Sequence, residues 1–216
     1  MSINKTYAVF GLGRYGLAVA EELVNSGAEV IAVDIDQDNV NNAIEKIPVC
    51  KCADITEPEV INRLGIANID VVIVAMASNL EASVLAVTLC KEAGVPTDIA
   101  KCGSEMHQKI LSRVGADKVI FPERESGVRL AKSLMTAGLS EMIELSDNVS
   151  MVEIDVKDEW VDKTLIDLKL RKKYDINVVA IKNNNQIEIS VDPTLPLTKG
   201  MQLIVIADTN KLKKLK

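Results

Sequence analysis

The chain has 216 residues, of which 48% are apolar, 26% are charged and 3% are aromatic. The apolar share excludes a disordered chain, and the length suits one large domain or two smaller ones. Acidic residues outnumber basic ones by 31 to 25, and a net charge of -6 argues against a nucleic-acid-binding protein, which needs a basic surface. We find no apolar run of the ~20 residues that span a membrane and no signal peptide, so we expect a soluble, intracellular protein.

Short apolar strands and amphipathic helices alternate through the first two thirds of the chain. The strands are predicted at 5–10, 29–34, 48–52, 70–75, 97–102 and 117–121. The helices are predicted at 17–26, 39–46, 57–64, 80–93, 104–114 and 122–137. Because several strands are apolar on both faces, the pattern predicts a parallel sheet covered by helices on both sides, which is a Rossmann-like, doubly wound α/β fold.

The pattern changes near Gly138, and the polar residues 146–148 are typical of a boundary. The sequence predicts a first domain at 1–140 and a small α+β domain at 146–216. The second would contain strands at 151–156, 176–182, 186–191 and 202–207 and a short helix near 163–170. Three asparagines, 183–185, indicate a hairpin turn, since Asn tolerates a positive φ. The basic end, 211–216, fits a frayed helix end or a contact with an acidic lipid surface.

A glycine-rich turn joins the first predicted strand to the first helix. Gly11, Gly13 and Gly16 form the pattern G-x-G-x-x-G in the context that a nucleotide-binding turn requires. The first glycine permits the tight turn, the second lets a pyrophosphate approach the backbone, and the third lets helix and strand pack closely. The free amides at the helix start then face the phosphates. The turn therefore predicts a nucleotide site; the alternative is a glycine turn that binds nothing.

Asp34 ends the second strand, where a carboxylate in such folds bonds the ribose hydroxyls and repels a 2′-phosphate. Asp54 follows the third strand, either beside the adenine or ribose or as a cap for the next helix. Small residues end the fourth strand beside the topological switch point. They would allow a ligand to approach closely, or they would form a tight turn between the strand and the next helix. The candidate nucleotide ligands are Gly11, Gly13, Arg14, Tyr15, Gly16, Asp34, Asp36, Asp54, Ala75, Met76, Ala77, Lys101 and Glu123.

Three charged residues would each bind a phosphate or a cation, or would instead have a purely structural role. Arg14 would neutralise phosphates in its own site or in that of a neighbouring subunit, or be a solvated or ion-paired side chain. Lys101 would reach a phosphate or remain a solvated amine. Glu123 would bind a cation near the phosphates, or stabilise a helix start through the helix dipole.

The sequence has few residues for acid–base chemistry. His107 is the only histidine, and its place near a helix start favours a surface or capping role. The cysteines form no C-x-x-C pair and are predicted to be small buried side chains in a reducing compartment: Cys50, Cys52, Cys90 and Cys102.

A nucleotide-binding turn in a sequence without candidate catalytic residues predicts a ligand sensor and not an enzyme. The alternative is an NAD-dependent oxidoreductase that uses His107. The net charge and the lack of a helix-turn-helix pattern count against a nucleotide-binding repressor.

Two groups of residues resemble the regulator-of-potassium-conductance (RCK or KTN) family, and most of all the cytosolic gating subunits of Ktr/Trk-type potassium uptake systems. In the first domain they are 9–16, Val33, Asp34, Asp54, Ala75 and 121–123. In the second domain they are 164–168, 178–181 and 197–203. The resemblance covers essentially the whole chain, with Gly200-Met201 in place of the Gly-Asp of many members.

The resemblance implies a gating subunit that binds ATP, ADP or NAD(H) in the first domain. Such proteins form dimers and octameric rings on a membrane potassium channel or transporter subunit, at the cytoplasmic face of the cell membrane. ATP and ADP favour different ring shapes, which gates potassium flux. By position, Arg14 would contact phosphates across a dimer, and Glu123 would help hold a cation there.

In several relatives the second domain binds cyclic di-AMP, which shuts uptake. The residues that match this site are Arg171, Lys172, Ile176, Asn177 and Pro193. Arg171 and Asn177 would contact phosphates at a two-fold axis, and Ile176 would pack on a base. The alternative is a helix–strand turn with surface charges.

Overall fold

The computed structural model describes residues 5–135, 139–146, 148–184, 186–208 and 211. Several features of the sequence prediction lie wholly or partly outside these residues: the end of the predicted helix 122–137, Gly138, Asp147, Asn185 and 212–216. No helix in the described part of the chain is long and apolar enough to cross a membrane.

Strands rich in Val, Ile and Ala form a parallel sheet in the first part of the chain. They are β1 (Thr6–Phe10), β2 (Glu29–Asp34), β3 (Val49–Cys52), β4 (Val71–Val74), β5 (Thr97–Lys101) and β6 (Lys118–Ile120). Their spatial order among the described residues is β3-β2-β1-β4-β5-β6, with every pair parallel. The order reverses between β1 and β4, so the carboxyl ends of these two strands flank a crevice of the kind that binds ligands. The predicted Rossmann-like fold is confirmed.

Helices connect these strands. They are α1 (Arg14–Asn25), α2 (Gln37–Ala43), α3 (Pro58–Arg63), a 3-10 helix at Ile66–Asn68, α4 (Leu80–Glu92), α5 (Glu105–Val114) and α6 (Pro122–Met135). Alternate residues of the central strands enter two cores, with Phe10 and Val74 in one and Val9 and Ile73 in the other. Burial on both faces explains why the strands show no polar alternation.

Two helices begin earlier than predicted because the preceding residue is the cap. Helix α1 begins at Arg14 and not at 17, since Gly13 takes the extended conformation of an N-cap. Helix α2 begins at Gln37 and not at 39, since the side chain of Asp36 accepts a hydrogen bond from the Asp38 amide.

The later part of the chain forms an antiparallel sheet with short helices. Its elements are β7 (Leu139–Ser146), β8 (Val149–Asp155), a 3-10 helix at Asp158–Trp160, α7 (Leu165–Leu168), α8 (Leu170–Tyr174), β9 (Ile176–Asn183), β10 (Gln186–Glu188) and β11 (Gln202–Asp208). The described strands lie in the order β10-β9-β11-β8-β7. The predicted α+β architecture is confirmed, and Asn184 takes the positive φ expected of the β9–β10 turn.

The sequence failed to predict β7 and the break between α7 and α8. Strand β7 pairs with β8 through two register shifts, which disturb the period-two alternation that reveals a strand. The predicted single helix at 163–170 is interrupted at Lys169, which has a φ of +48°.

The chain divides into two compact units, Met1–Glu125 and Ser126–Lys216. The division falls inside α6, whereas the sequence places it between 140 and 146. A continuous helix carries the chain across this division, so no loop marks it, and the domain limits 1–140 and 146–216 stay a prediction.

The glycine turn positions the start of α1 at the carboxyl edge of the sheet. Gly11 has a φ of +90°, which favours glycine, and a Cβ on Gly16 would lie 1.8 Å from the carbonyl oxygen of Gly11. A Cβ on Gly13 would meet no atom within 4 Å. The fold therefore requires the first and third glycines, while the second leaves open space beside the first amides of α1.

The two glycines of α1 predict opposite effects of an added methyl group. Gly16→Ala would push the backbone of α1 away from the carbonyl oxygen of Gly11. We expect this change to lower the free energy of unfolding by about 3 kcal/mol or more. Gly13→Ala, the matched control, adds a methyl group in open space with an allowed φ of -63°, and we expect a loss of about 1 kcal/mol or less, the cost of alanine at an N-cap. Urea unfolding of the full chain measures both, and equal destabilisation would contradict the packing described for Gly16.

Candidate functional site

A cavity of about 500 Å³ lies at the carboxyl ends of β1 to β4. Its walls are the loops that follow these strands and the start of α4. The lining residues are Gly11, Gly13, Val33, Asp34, Ile35, Asp36, Asn39, Ala53, Asp54, Ile55, Thr56, Ala75, Met76, Ser78, Asn79, Glu81, Ala82 and Leu85. The cavity is thus at the crevice that the strand order creates.

The structure brings seven of the predicted nucleotide ligands into this cavity: Gly11, Gly13, Asp34, Asp36, Asp54, Ala75 and Met76. Six others do not line it: Arg14, Tyr15, Gly16, Ala77, Lys101 and Glu123. Helix α4 provides a wall of the cavity that the sequence did not predict, formed by Glu81, Ala82 and Leu85. Their spacing of one and four places them on one face of a helix, but nothing in the sequence shows that this face borders a cavity.

Asp34 ties the glycine turn to the end of β2. Its carboxylate accepts hydrogen bonds from the Leu12 amide at 2.5 Å, the Asp36 amide at 2.8 Å and the Asn39 side-chain amide at 3.2 Å. Only 8% of the residue is exposed. A carboxylate has about four acceptor positions, so these three hydrogen bonds leave about one for a further donor.

Asp36 and Asp54 each order the loop that follows them. Asp36 caps α2 through the Asp38 amide, at 2.9 Å. Asp54 accepts hydrogen bonds from the amide and the hydroxyl of Thr56, at 2.9 and 2.7 Å. The N-cap of α3 is Glu57, so the predicted capping role for Asp54 is wrong, because Asp54 instead fixes the turn before that helix.

The charged groups that line the cavity are all acidic. They are Asp34, Asp36, Asp54 and Glu81, and none of the lining residues is Lys, Arg or His. The cavity therefore favours hydrogen-bond donors, such as sugar hydroxyls and exocyclic amines, and disfavours phosphates along most of its wall. The region beside Gly13, at the amide end of α1, is where the site favours an anion.

Basic groups lie beside the glycine turn, outside the cavity lining. The ammonium of Lys101 is 2.6 Å from a carboxylate oxygen of Glu123 and 5.2 Å from the centre of the Tyr15 ring. The hydrogen bond from Lys101 lowers the pKa of Glu123, with a smaller effect from the charge of Arg14. Burial raises the pKa of Tyr15, as do the charges of Glu125 and Glu123. Lys101 is therefore ion-paired, and the prediction of a solvated amine is wrong.

The described residues contain no group of three or more His, Cys, Asp or Glu side chains that could hold a metal ion. Glu123, the predicted cation ligand, is bonded to Lys101. A cation there would need the remaining ligands from a phosphate or from another subunit. Ala77, also predicted as a ligand, packs against Gly103 in the loop after β5. A Cβ added to Gly103 would lie 3.1 Å from the carbonyl oxygen of Ala77.

His107 is buried and lies outside the cavity lining, so the expected surface position is wrong. It is 5% exposed, and its Nδ1 accepts a hydrogen bond from the Gly103 amide at 3.4 Å. Its Nε2 has no partner among the described residues, and burial lowers the pKa of the imidazole. Ser104 caps the amide of His107, so the capping role belongs to the serine.

The cysteine prediction is correct for two of the four residues. Cys90 and Cys102 are buried, and burial raises the pKa of Cys90 to about 12. Cys52 is exposed and Cys50 partly exposed, because both lie on β3, the edge strand of the sheet.

The second unit places four of the five predicted cyclic di-AMP residues at its surface: Arg171, Lys172, Asn177 and Pro193. Ile176 is 1% exposed and packs in the core, so the prediction that its side chain contacts a base is wrong. Strand alternation explains this, since it turns Ile176 inward and the next residue, Asn177, outward. Ile166 is 55% exposed, and its amide donates to the Pro193 carbonyl at 3.4 Å, so an exposed apolar residue lies beside Pro193.

The buried imidazole predicts a pH dependence of stability. Because burial lowers the pKa of His107 in the folded state, the unfolded chain binds a proton first as the pH falls below the ordinary value of 6.5. We expect the wild type to lose more stability than His107→Gln between about pH 7 and pH 5. Thermal unfolding at several pH values measures this. The raised pKa of Asp98 acts with the opposite sign in both proteins, so identical pH slopes would contradict the prediction.

Comparison with known proteins gives the relationships of the chain. The TrkA-N domain model matches residues 7–122, and the TrkA-C domain model matches residues 149–216. Ktr system potassium uptake protein C of Bacillus subtilis is 37% identical over 98% of this chain and 96% of its own length. Ktr system potassium uptake protein A of Vibrio alginolyticus is 36% identical, over 97% and 95% respectively.

A structural neighbour, the GsuK channel bound to NAD, has a TM-score of 0.59 and 22% identity, over 98% of this chain and 38% of that one. At this identity the likeness supports the fold alone. These sequence relatives are named as potassium uptake proteins and not as enzymes. The chain therefore belongs to the RCK-type family of potassium uptake proteins, which combine a TrkA-N and a TrkA-C domain and include the Ktr system proteins A and C.

Proposed function

We propose that this chain is the gating subunit of a Ktr/Trk-type potassium uptake system and binds ATP, ADP or NAD(H) in the cavity at β1 to β4. The observation that carries the proposal is the open space at Gly13 beside the ordered carboxylate of Asp34, in a chain of this family. The one imidazole is buried outside the lining, which supports a sensor over an oxidoreductase that would use His107.

The lining suggests how the nucleotide lies. A ribose hydroxyl donates to the remaining acceptor position of Asp34, and the base packs between apolar residues such as Ile35, Ile55 and Leu85. The acidic lining tolerates these groups and opposes a 2′-phosphate. The 5′-phosphates then lie at Gly13, where the first amides of α1 are available to accept their charge.

The phosphates require positive charge that the lining does not supply. Arg14 is exposed at the first position of α1, where it reaches phosphates of its own site or of a neighbouring subunit in a dimer. Lys101 serves the same purpose only if it leaves Glu123. The freed Glu123 then becomes available to a cation at the phosphates.

The proposed assembly is a set of dimers arranged as an octameric ring on a membrane potassium channel or transporter subunit, at the inner face of the cell membrane. The similarity to Ktr system potassium uptake proteins over nearly the whole chain supports this assignment. ATP and ADP act by favouring different arrangements of the copies, since a ligand shifts an equilibrium only by its differential affinity for the two states.

The second unit is proposed to bind cyclic di-AMP as an inhibitory effector. Arg171, Lys172 and Asn177 are exposed beside the turn between α8 and β9 and would contact its phosphates. Ile166 and Pro193 form an exposed apolar pair suited to a base, the role that Ile176 cannot take from the core.

The ribose ligand predicts a loss of nucleotide affinity in Asp34→Ala. We expect ADP to bind at least about tenfold more weakly, because the variant loses a charge-assisted hydrogen bond and the tether of the glycine turn. Calorimetric titration of the purified chain with ADP, ATP and NADH measures the affinity.

Asp38→Ala is the matched control, since Asp38 is an exposed carboxylate of α2 outside the cavity lining. It should keep wild-type affinity. The same proteins, combined with the membrane subunit in vesicles, should show nucleotide-dependent potassium flux for wild type and Asp38→Ala only. Unchanged ADP affinity in a folded Asp34→Ala protein would show that the site assignment is wrong.

The effector site predicts different effects for two neighbouring basic residues. Arg171→Ala should weaken cyclic di-AMP binding about tenfold through loss of a charge-assisted bond to phosphate. Lys173→Ala removes an equally exposed charge from the same short helix and should change affinity less than about threefold. Equal titration curves for wild type and Arg171→Ala would remove this residue from the site.

A further inference from the structure

An acidic residue interrupts the basic turn of the second unit. Asp175 lies between the predicted anion ligands Arg171 and Asn177 and is exposed, with a φ of +58°. Its amide donates to the carbonyl of Arg171 at 3.1 Å, which holds it beside α8. A free carboxylate at this position opposes the binding of a phosphate to its neighbours.

Lys211, from the end of the chain, forms an ion pair with this carboxylate. The hydrogen bond and the charge of Lys211 lower the pKa of Asp175, and Arg171 contributes a smaller effect of the same sign. The same pairing raises the pKa of Lys211. Both groups are therefore charged at neutral pH, and each compensates the other.

The pair has little value for folding. The two side chains are 47% and 69% exposed, and exposed ion pairs contribute little to stability. Its effect is local: without Lys211, the carboxylate of Asp175 would draw its compensation from Arg171, the residue proposed to bind the phosphate.

We infer that Lys211 belongs to the anion site of the second unit, where it neutralises Asp175 so that Arg171 and Asn177 can bind phosphate. This inference rests on the proposed cyclic di-AMP site. Lys211 is a positioning residue that acts through Asp175 and does not itself contact the ligand. The residue thus has a role beyond that of a frayed helix end.

A double-mutant cycle on the full chain tests the inference, with cyclic di-AMP as the probe in calorimetry. Lys211→Gln should weaken binding about fivefold, the effect of one exposed charge pair, and Lys211→Arg should keep wild-type affinity. In the Asp175→Asn background, where no carboxylate needs compensation, Lys211→Gln should have no further effect. Asn accepts the positive φ at this position, so the turn is preserved.

Lys199→Gln is the matched control, since Lys199 is also an exposed lysine, paired with Asp158 at 3.2 Å, and lies outside the turn. It should leave affinity unchanged. If Lys211→Gln binds as well as wild type, or weakens binding equally in the Asp175→Asn background, the neutralising role is wrong while the effector site stands. If the wild type binds no cyclic di-AMP, the proposed effector site fails and this inference fails with it.

Discussion

The carboxylate of Asp34 joins two of the four strands that border the proposed nucleotide site. It accepts the amide of Leu12, from the glycine turn after β1, and the amide of Asp36, from the end of β2. Because the side chain is nearly buried, these bonds form where the effective dielectric is low and where an unpaired amide is costly. The same carboxylate lines the cavity, so the group that orders the phosphate-binding turn is also the group proposed to bind ribose.

Charge is distributed unevenly along this site, and the distribution determines what fits. The charged side chains of the cavity lining are all carboxylates, those of Asp34, Asp36, Asp54 and Glu81. The lining therefore suits the hydrogen-bond donors of a nucleoside. The compensating positive groups, Arg14 and Lys101, lie beside the glycine turn and outside the lining. A free nucleoside would bind only at the acidic lining, and an inorganic phosphate only beside the glycine turn. The arrangement therefore favours a molecule that has a ribose and a 5′-phosphate together.

Local sequence patterns predicted the features that local interactions determine. Apolar runs gave the order of strands and helices in the first unit, and the glycine spacing gave the turn, since Gly11 and Gly16 have conformational and steric requirements that few residues meet. The failures depend on tertiary contacts. The register shifts between β7 and β8 disturb the alternation by which a strand is recognised, so β7 was not predicted. Cys52 is exposed because β3 is an edge strand. Ile176 is buried because strand alternation places its side chain in the core. The wall formed by α4 depends on where the helix packs, which its own sequence does not encode.

In the proposed function, phosphate binding affects the start of α6 through Lys101. This side chain, at the end of β5, donates to Glu123 in the first turn of α6. A phosphate that attracts Lys101 weakens this bond and leaves Glu123 to a cation or to another subunit. Helix α6 runs from Pro122 to Met135, so Glu123 lies in the same helix as the boundary at Glu125. Such coupling is reciprocal, so a cation or subunit that binds Glu123 must change nucleotide affinity by the same factor by which the nucleotide changes its own.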